Sequence, residues 1–111
     1  MCYAYNCLIF IQYFDNQPKE PSQYKNMSSL KLLVDTCRML AERGFRIVNL
    51  DSILFAEAPK LGPHRQSMQT TLAKTMNIPS GAINIKATTA EGLGAIGKGK
   101  GIAAMCMALI E

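Results

Sequence analysis

The side chains best suited to chemistry lie near the carboxyl end of the chain, in the stretch IKATTAEGLGAIGKGKGIA (residues 85–103). Thr88, Thr89 and Glu91 supply two hydroxyls and one carboxylate, and five of the eight glycines of the chain follow within ten positions. Hydroxyls and bare backbone amides suit phosphate oxygens, and a carboxylate beside them suits a divalent metal ion that bridges two phosphates. The glycines lack the context of a Rossmann fingerprint, and no GK[ST] closes a Walker A loop, so an ordinary glycine-rich turn stays open as the alternative.

A second candidate is the stretch AEAPKLGPH (residues 56–64), here called the proline loop. Pro59 removes a backbone amide and stiffens the turn, and Lys60 presents a cation beside exposed backbone. Because this loop and the glycine-rich loop (residues 88–101) each follow a predicted strand, we expect their polar groups to face a common cleft. His64, the only histidine, has no Asp or other His nearby, which favours a structural role over metal binding.

Hydrophobic periodicity predicts the elements that must hold these loops. Apolar residues recur at helical spacing before Gly44, where a glycine typically ends a helix, and alternating or β-branched segments predict strands. For the last apolar run a buried strand is favoured, with a short helix as the alternative. The resulting fold class is α+β, a mixed β-sheet with helices packed on one face. The predicted elements are a helix from Ser28 or Ser29 to Gly44, a strand at 45–58, a helix at 66–76, a strand at 82–88 and a strand at 102–110.

Two further local predictions concern single segments. The proline-rich stretch at residues 14–26 holds few aliphatic residues and predicts a loop. In the strand at 45–58, Asn49 and Asp51 alternate onto the same face as Ile47 and Ile53, so we expect that face not to be purely core. Asp51 is expected to satisfy backbone or neighbouring-strand groups.

Length and composition restrict the class of protein. A chain of 111 residues with 49% apolar residues supports one domain with a modest core, and oligomerisation is a common source of stability at this size. No apolar run approaches the roughly 20 residues of a membrane span, and the apolar opening lacks the features of a signal peptide. The four cysteines show no paired spacing, so we expect buried thiols in a reducing compartment.

The net charge of +4 fits an anionic small molecule as well as nucleic acid. The basic residues are scattered, and no RNA-binding signature is present. We therefore expect neither a nucleic-acid partner nor a membrane partner. A small basic nucleic-acid-binding domain, motivated only by a pI near 9.0, is the minor alternative.

Two motifs in order resemble one enzyme family. The string KATTxExLGxxGxGxGIA (residues 86–103) is similar to the carboxyl-terminal signature of 2-C-methyl-D-erythritol 2,4-cyclodiphosphate synthase. APK followed by PH (residues 58–64), after a strand that contains Asn49-x-Asp51, is similar to a second segment of that family. The resemblance covers residues 24–111, and it implies a cyclodiphosphate-synthase-like fold.

The resemblance implies a cyclase of non-mevalonate isoprenoid biosynthesis. Members close a cytidine diphosphate derivative of methylerythritol 2-phosphate into a cyclic diphosphate and release CMP, by attack of the substrate's own 2-phosphate on the β-phosphorus. No protein nucleophile is required, and catalysis depends on aligning the phosphates and neutralising their charge with metal ions. The family assembles as a homotrimer with sites between neighbouring subunits. It occurs in the bacterial cytoplasm or the plastid stroma.

The resemblance also implies roles for individual residues. Thr89 is the catalytic residue that steadies charge at the phosphorus under attack. Glu91 binds a magnesium or manganese ion that bridges the phosphates. Lys98 stands where the family has arginine, so the cation is kept but not its bidentate fork. The residues implied in substrate binding, mainly through the backbone of the proline loop, are Ala56, Glu57, Ala58, Pro59, Lys60, Leu61, Gly62, Thr88, Ala90 and Lys98.

The chain departs from the family in several places. The family holds zinc with an Asp-x-His pair and a second histidine, and those zinc ligands are missing from this sequence. Ala95 and Lys100 replace a phenylalanine and a glutamate near the trimer axis, which puts isoprenoid binding there in doubt. We expect residues 1–23 to be an atypical N-terminal segment and loop, and residues 24–111 to be the C-terminal part of the domain.

These departures predict a truncated version of the fold with little or no cyclase turnover. A truncated gene product, a gene-model error or a decayed copy would explain them. Loss of opening strands would expose a sheet edge, and the apolar CLIFIQYF (residues 7–14) is a candidate strand to cover it. The alternative function is a catalytically dead interaction subunit that joins trimers of an intact homologue.

Overall fold

One mixed sheet and two longer helices make up the fold. The computed structural model describes the backbone of residues 5–9 and all of residues 28–111. Two 3-10 turns lie at Gly62–His64 and Ser80–Ala82. In chain order the elements are β1 (Tyr5–Ile9), α1 (Ser29–Glu42), β2 (Ile47–Phe55), α2 (Arg65–Met76), β3 (Ile83–Thr88), α3 (Gly94–Gly97) and β4 (Ala103–Ile110).

The strands lie in the order β1-β4-β2-β3. β3 runs parallel to β2, whereas β4 runs antiparallel to both β2 and β1. A parallel pair requires a crossover connection, and α2 supplies it between β2 and β3. The predicted mixed sheet is thereby confirmed, and the last apolar run is a strand rather than the alternative short helix.

The helices cover one face of the sheet, as the sequence predicts. Ala73 and Met76 of α2 pack against Ile83 and Ile85 of β3, the two most deeply buried side chains described. Apolar side chains at helical spacing and at alternate strand positions meet here, which removes their surface from water. The partly buried side chains around this cluster are Leu33, Cys37, Ile47, Leu50, Leu54, Met68, Leu72 and Ile78.

Left-handed residues end both longer helices. After α1, Gly44 has φ +79°, and the amides of Gly44 and Phe45 donate to the carbonyls of Ala41 and Leu40 at 3.0 Å. This is the glycine-terminated helix end that the sequence predicts. After α2, Asn77 takes the equivalent conformation with φ +55°, a role that asparagine tolerates better than most residues.

The other face of the sheet carries no helix in the part of the chain described. Asp51 lies on this open face beside Asn84 and Lys86 of β3, and it accepts hydrogen bonds from both side chains, at 3.0 Å and 2.9 Å. The expectation that Asp51 satisfies neighbouring-strand groups is confirmed. Met105 and Met107 of β4 are in register with Ile53 and Asp51, and both are exposed.

An irregularity in β2 changes the predicted alternation. The register of β2 against β4 shifts between Ile47 and Asn49, which is the signature of a β-bulge. Ile47 therefore packs against the helix-covered core, while Asp51 and Ile53 stay on the open face. The expected mixed character of that face holds for Asp51 and Ile53, but the placement of Ile47 on it is wrong because the bulge inserts one residue.

β1 pairs antiparallel with the outer edge of β4, with Cys7 opposite Ala108. The candidate strand at residues 7–14 is thus found in part, and its remainder lies outside the described residues, as do the predicted loop at 14–26 and the domain boundary at 23/24. Among the described residues, the helices are all too short or too polar to cross a membrane.

Candidate functional site

The parallel pairing of β2 and β3 brings the two candidate loops together. Phe55, the last residue of β2, pairs with Thr88, the last residue of β3. The Ala56 amide then donates to the Thr88 carbonyl at 3.0 Å, so the strands stay joined where the loops begin. The carboxyl ends of neighbouring parallel strands lie at one edge of a sheet, which is where ligands bind in open α/β structures.

A cleft of about 390 Å³ lies between the two loops. Its lining combines the proline loop with the end of β3, as the sequence predicts. Three implied substrate residues, Ala58, Ala90 and Lys98, and the implied metal ligand Glu91 are not among the lining residues. Pro63 and Ala87 line it without having been predicted. The complete lining is Ala56, Glu57, Pro59, Lys60, Leu61, Gly62, Pro63, Ala87, Thr88 and Thr89.

The proline loop presents backbone and one cation. The Ala58–Pro59 peptide bond is cis, and both residues are exposed, as is Lys60. None of the ion pairs within residues 28–111 involves Lys60, so its ammonium group is open to an anion in the cleft. Leu61 is half-buried beneath the turn. This arrangement offers peptide groups and positive charge to a polar planar ligand.

Thr89 and Glu91 lie side by side at the start of the glycine-rich loop. The Thr89 hydroxyl is 3.4 Å from Glu91 Oε1, to which it donates, and it accepts from the Glu91 amide at 3.4 Å. These long contacts leave both groups exposed. Glu91 has φ +53° and Gly92 has φ +74°, so the chain turns sharply through two left-handed residues. The predicted catalytic hydroxyl and the predicted metal carboxylate are therefore neighbours.

Glu57 links the two loops in a way that the sequence does not indicate. Its Oε1 atom accepts hydrogen bonds from the Ala90 amide at 2.8 Å and from the Gly92 amide at 3.3 Å. The partners are 33 and 35 residues away, so no local pattern marks this contact. The Glu57 carboxylate, implied as a substrate contact, is thus engaged with backbone on both sides of Glu91.

The donor set at Glu91 fits one kind of metal ion. Magnesium is commonly held by one or two carboxylates together with substrate phosphates, and an exposed carboxylate beside a hydroxyl meets that description. Zinc requires a closed set of three or four His, Cys or carboxylate ligands. Within residues 28–111 no group of three such side chains is placed to hold a metal, so zinc does not fit them.

His64 and Lys98 are not among the residues that line the cleft. His64 ends the 3-10 turn before α2 and is exposed. Lys98 is exposed at the end of α3, four residues beyond Gly94, and its side chain makes no ion pair in the described part of the chain. The arrangement therefore concentrates hydroxyl, carboxylate and Lys60 ammonium groups around one cleft, which suits a nucleotide diphosphate.

Comparison with known proteins gives one consistent family. The model of the YgbB family matches residues 10–111. The chain is 49% identical over 94 residues to the 2-C-methyl-D-erythritol 2,4-cyclodiphosphate synthase of Desulfatibacillum aliphaticivorans, over 85% of this chain and 61% of that protein. It thus spans about three fifths of the length of the curated relatives it matches.

Solved structures agree with this match. The cyclodiphosphate synthase of Plasmodium vivax superposes with a TM-score of 0.73 at 31% identity, over 76% of this chain and 56% of that chain. A Plasmodium falciparum IspF solved as a CDP complex superposes with a TM-score of 0.72 at 28% identity.

The alignment with that CDP complex covers 78% of this chain and 55% of the Plasmodium falciparum chain. In both Plasmodium proteins the likeness extends over most of this chain and over little more than half of the other. The mixed sheet with its helices on one face is therefore a cyclodiphosphate-synthase-like α+β fold.

Proposed function

The chain belongs to the YgbB family, and from this premise we propose that its cleft binds the cytidine diphosphate part of a methylerythritol 2-phosphate substrate. The reaction served is cyclisation to 2-C-methyl-D-erythritol 2,4-cyclodiphosphate with release of CMP. The observation that carries the proposal is the cleft in which the proline loop meets Thr88 and Thr89. A relative of the same fold solved as a CDP complex supports the choice of nucleotide.

In the proposed reaction the substrate supplies its own nucleophile. An oxygen of the 2-phosphate forms a bond to the β-phosphorus, and the bond from that phosphorus to the oxygen it shares with the α-phosphate breaks, so that CMP leaves with the electron pair. The protein has to align the phosphates and stabilise the charge that develops on them. The exposed hydroxyls at the end of β3 and the open Lys60 ammonium group suit those two tasks.

We propose a role for each group, as the family resemblance implies. The Thr89 hydroxyl donates to an oxygen on the phosphorus under attack, and Thr88 contacts the neighbouring phosphate. The proline loop surrounds the cytosine with its backbone, and Lys60 lies beside the negative charge of the nucleotide. Glu91 would hold a magnesium-type ion, which when bound would neutralise phosphate charge.

We propose that this 111-residue chain turns its substrate over slowly. Zinc does not fit the described residues, and the whole sequence contains a single histidine. Without that Lewis acid the cleft retains nucleotide binding and part of the charge stabilisation. Nucleotide binding, rather than turnover, is accordingly the property on which the proposal is tested.

The open face of the sheet supports a homotrimer. Exposed Met105 and Met107 lie there beside half-buried Ile53, and a chain of this size gains stability by burying such surface between copies. Sites between neighbouring subunits would then complete the cleft. A catalytically dead subunit that joins an intact homologue through the same face is the second candidate, and co-expression followed by mass measurement of mixed trimers distinguishes the two.

Titration calorimetry with CDP tests the proposed function. We expect the purified chain to bind CDP more tightly with Mg²⁺ than without it, because the ion links Glu91 to the diphosphate. Glu91→Ala should bind CDP equally with and without Mg²⁺. Glu42→Ala, which removes an exposed carboxylate at the end of α1, is the matched control and should keep the full metal dependence. A folded sample that binds no CDP under either condition would refute the proposal.

A further inference from the structure

We propose that Glu57 is a positioning residue for the glycine-rich loop: its carboxylate fixes the backbone on both sides of Glu91, so that the Thr89 hydroxyl and the Glu91 carboxylate are presented together. The inference rests on the function proposed above, since it assigns Glu57 a part in binding a magnesium nucleotide. It gives Glu57 a different task from the direct substrate contact that the family resemblance implies.

The geometry around Glu91 carries the inference. One oxygen of Glu57 accepts from the amide before Glu91, at 2.8 Å from Ala90, and from the amide after it, at 3.3 Å from Gly92. Glu91 itself has φ +53°, a conformation that residues with a side chain rarely adopt and that persists where the surroundings fix it. Two hydrogen bonds to one oxygen of a neighbouring loop supply that constraint.

The same contacts determine which groups of the protein remain available to bind phosphate. The amides of Ala90 and Gly92 would form an anion-binding concavity in a left-handed turn, but the Glu57 carboxylate already takes both of them. Phosphate recognition therefore falls to the hydroxyls of Thr88 and Thr89 and to an ion on Glu91. Glu57 also follows Ala56 directly, so it ties the orientation of the proline loop to that of the glycine-rich loop.

Three substitutions of Glu57 separate the effect of side-chain length from the effect of side-chain charge. Glu57→Gln keeps the length of the side chain and an oxygen that accepts both amides, Glu57→Asp keeps the charge but shortens the reach, and Glu57→Ala removes the acceptor. Each variant is measured as the full 111-residue chain in two ways. Hydrogen exchange of the Ala90 and Gly92 amides is followed by NMR, and the affinity for CDP with Mg²⁺ is measured by calorimetry.

We expect Glu57→Ala and Glu57→Asp to speed exchange at both amides and to weaken magnesium-dependent CDP binding by about tenfold, the scale at which residues that orient metal ligands act. Glu57→Gln should stay close to the unsubstituted chain in both measurements, and so should the control Glu42→Ala. Glu57→Asp, which keeps the charge and loses only reach, keeps the inference testable if Glu57→Ala does not fold.

Two results would overturn the inference: unchanged exchange at Ala90 and Gly92 in a folded Glu57→Ala or Glu57→Asp variant, or unchanged affinity for magnesium CDP in that variant. Failure of the unsubstituted chain to bind CDP at all is a different result. It would refute the proposed function, and the amide exchange alone would then decide whether Glu57 fixes the loop.

Discussion

The two faces of the sheet are built from the same strands but meet different surroundings. On the helix-covered face, Ile83 and Ile85 keep only 2% and 3% of their surface exposed beneath α2. On the open face, Met105 and Met107 expose 47% and 54%. Alternate residues of a strand point to opposite faces, so each strand contributes side chains to both environments.

This difference in exposure indicates which face stabilises the single chain. Apolar burial on the helix-covered face supplies the core, whereas the open face offers large side chains and a charged pair, Asp51 and Lys86, with nothing packed over them in the described part of the chain. A face of this composition contributes to stability chiefly when it is covered. Substitutions on the covered face should therefore change mainly the free energy of unfolding, and substitutions on the open face should change mainly assembly.

The largest effect is expected on the covered face. Ile83→Ala should lower the free energy of unfolding by about 2–5 kcal/mol, because it removes a buried side chain and leaves a cavity against α2. Urea denaturation followed by circular dichroism measures the loss. Ile53→Ala makes the same change on the open face and should cost less than half as much in the monomer, and equal losses would mean that the two faces are equivalent.

An intermediate effect is expected on assembly. Met107→Asp places a charge on the open face, so it should reduce the solution mass from that of the proposed trimer, three times the 12.2 kDa of one chain, to that of the monomer. Light scattering after size-exclusion chromatography measures this mass. Met39→Asp, at an equally exposed position of α1, should leave the trimer intact. A monomeric unsubstituted chain would instead show that the open face does not join copies.

The smallest effect concerns pH. The hydrogen bond from Lys86, with a further one from Asn84, holds the pKa of Asp51 below its usual range. A carboxyl with a lowered folded pKa contributes stability that is complete above its unfolded pKa and is lost as the pH falls through the folded value, here below about pH 4. The pair is exposed, so the contribution is small and screened by salt.

Lys86→Met tests this pH dependence. An NMR titration of the Asp51 carboxyl should show its midpoint moving upward toward the usual range once the ammonium group is removed. Lys74→Met, at an exposed position of α2 with no described ion pair, serves as the control. Superimposable titration curves for all three proteins would show that the Lys86 contact does not exist in solution.

Most of the regular structure could be predicted from local patterns. Gly44 marks the end of α1 and the apolar run at 102–110 becomes β4, because helix-ending glycines and buried strands depend mainly on neighbouring residues. The bulge after Ile47 could not be predicted, since it depends on the register against β4 more than 60 residues later. One inserted residue is enough to move Ile47 to the other face.

The two loops of the candidate site and their shared cleft could be predicted, but the side-chain contact that links the loops could not. The hydroxyls of Thr88 and Thr89 and the carboxylate of Glu91 stand out in sequence because they adjoin a run of glycines. The contact of Glu57 with the glycine-rich loop has no such sequence signal. It requires the parallel pairing of β2 and β3, and it joins Glu57 to backbone amides 33 and 35 residues away. The residue roles implied by the family resemblance stay predictions.

Because β2 and β3 run parallel, the cleft lies at only one end of this strand pair. The segments that enter these strands lie at the opposite edge from the cleft, and the segment before β3 contains Gly81. A Cβ added at Gly81 would meet open space, and its backbone is not in the left-handed region. A surface tether or a reporter dye attached there would leave the cleft unobstructed.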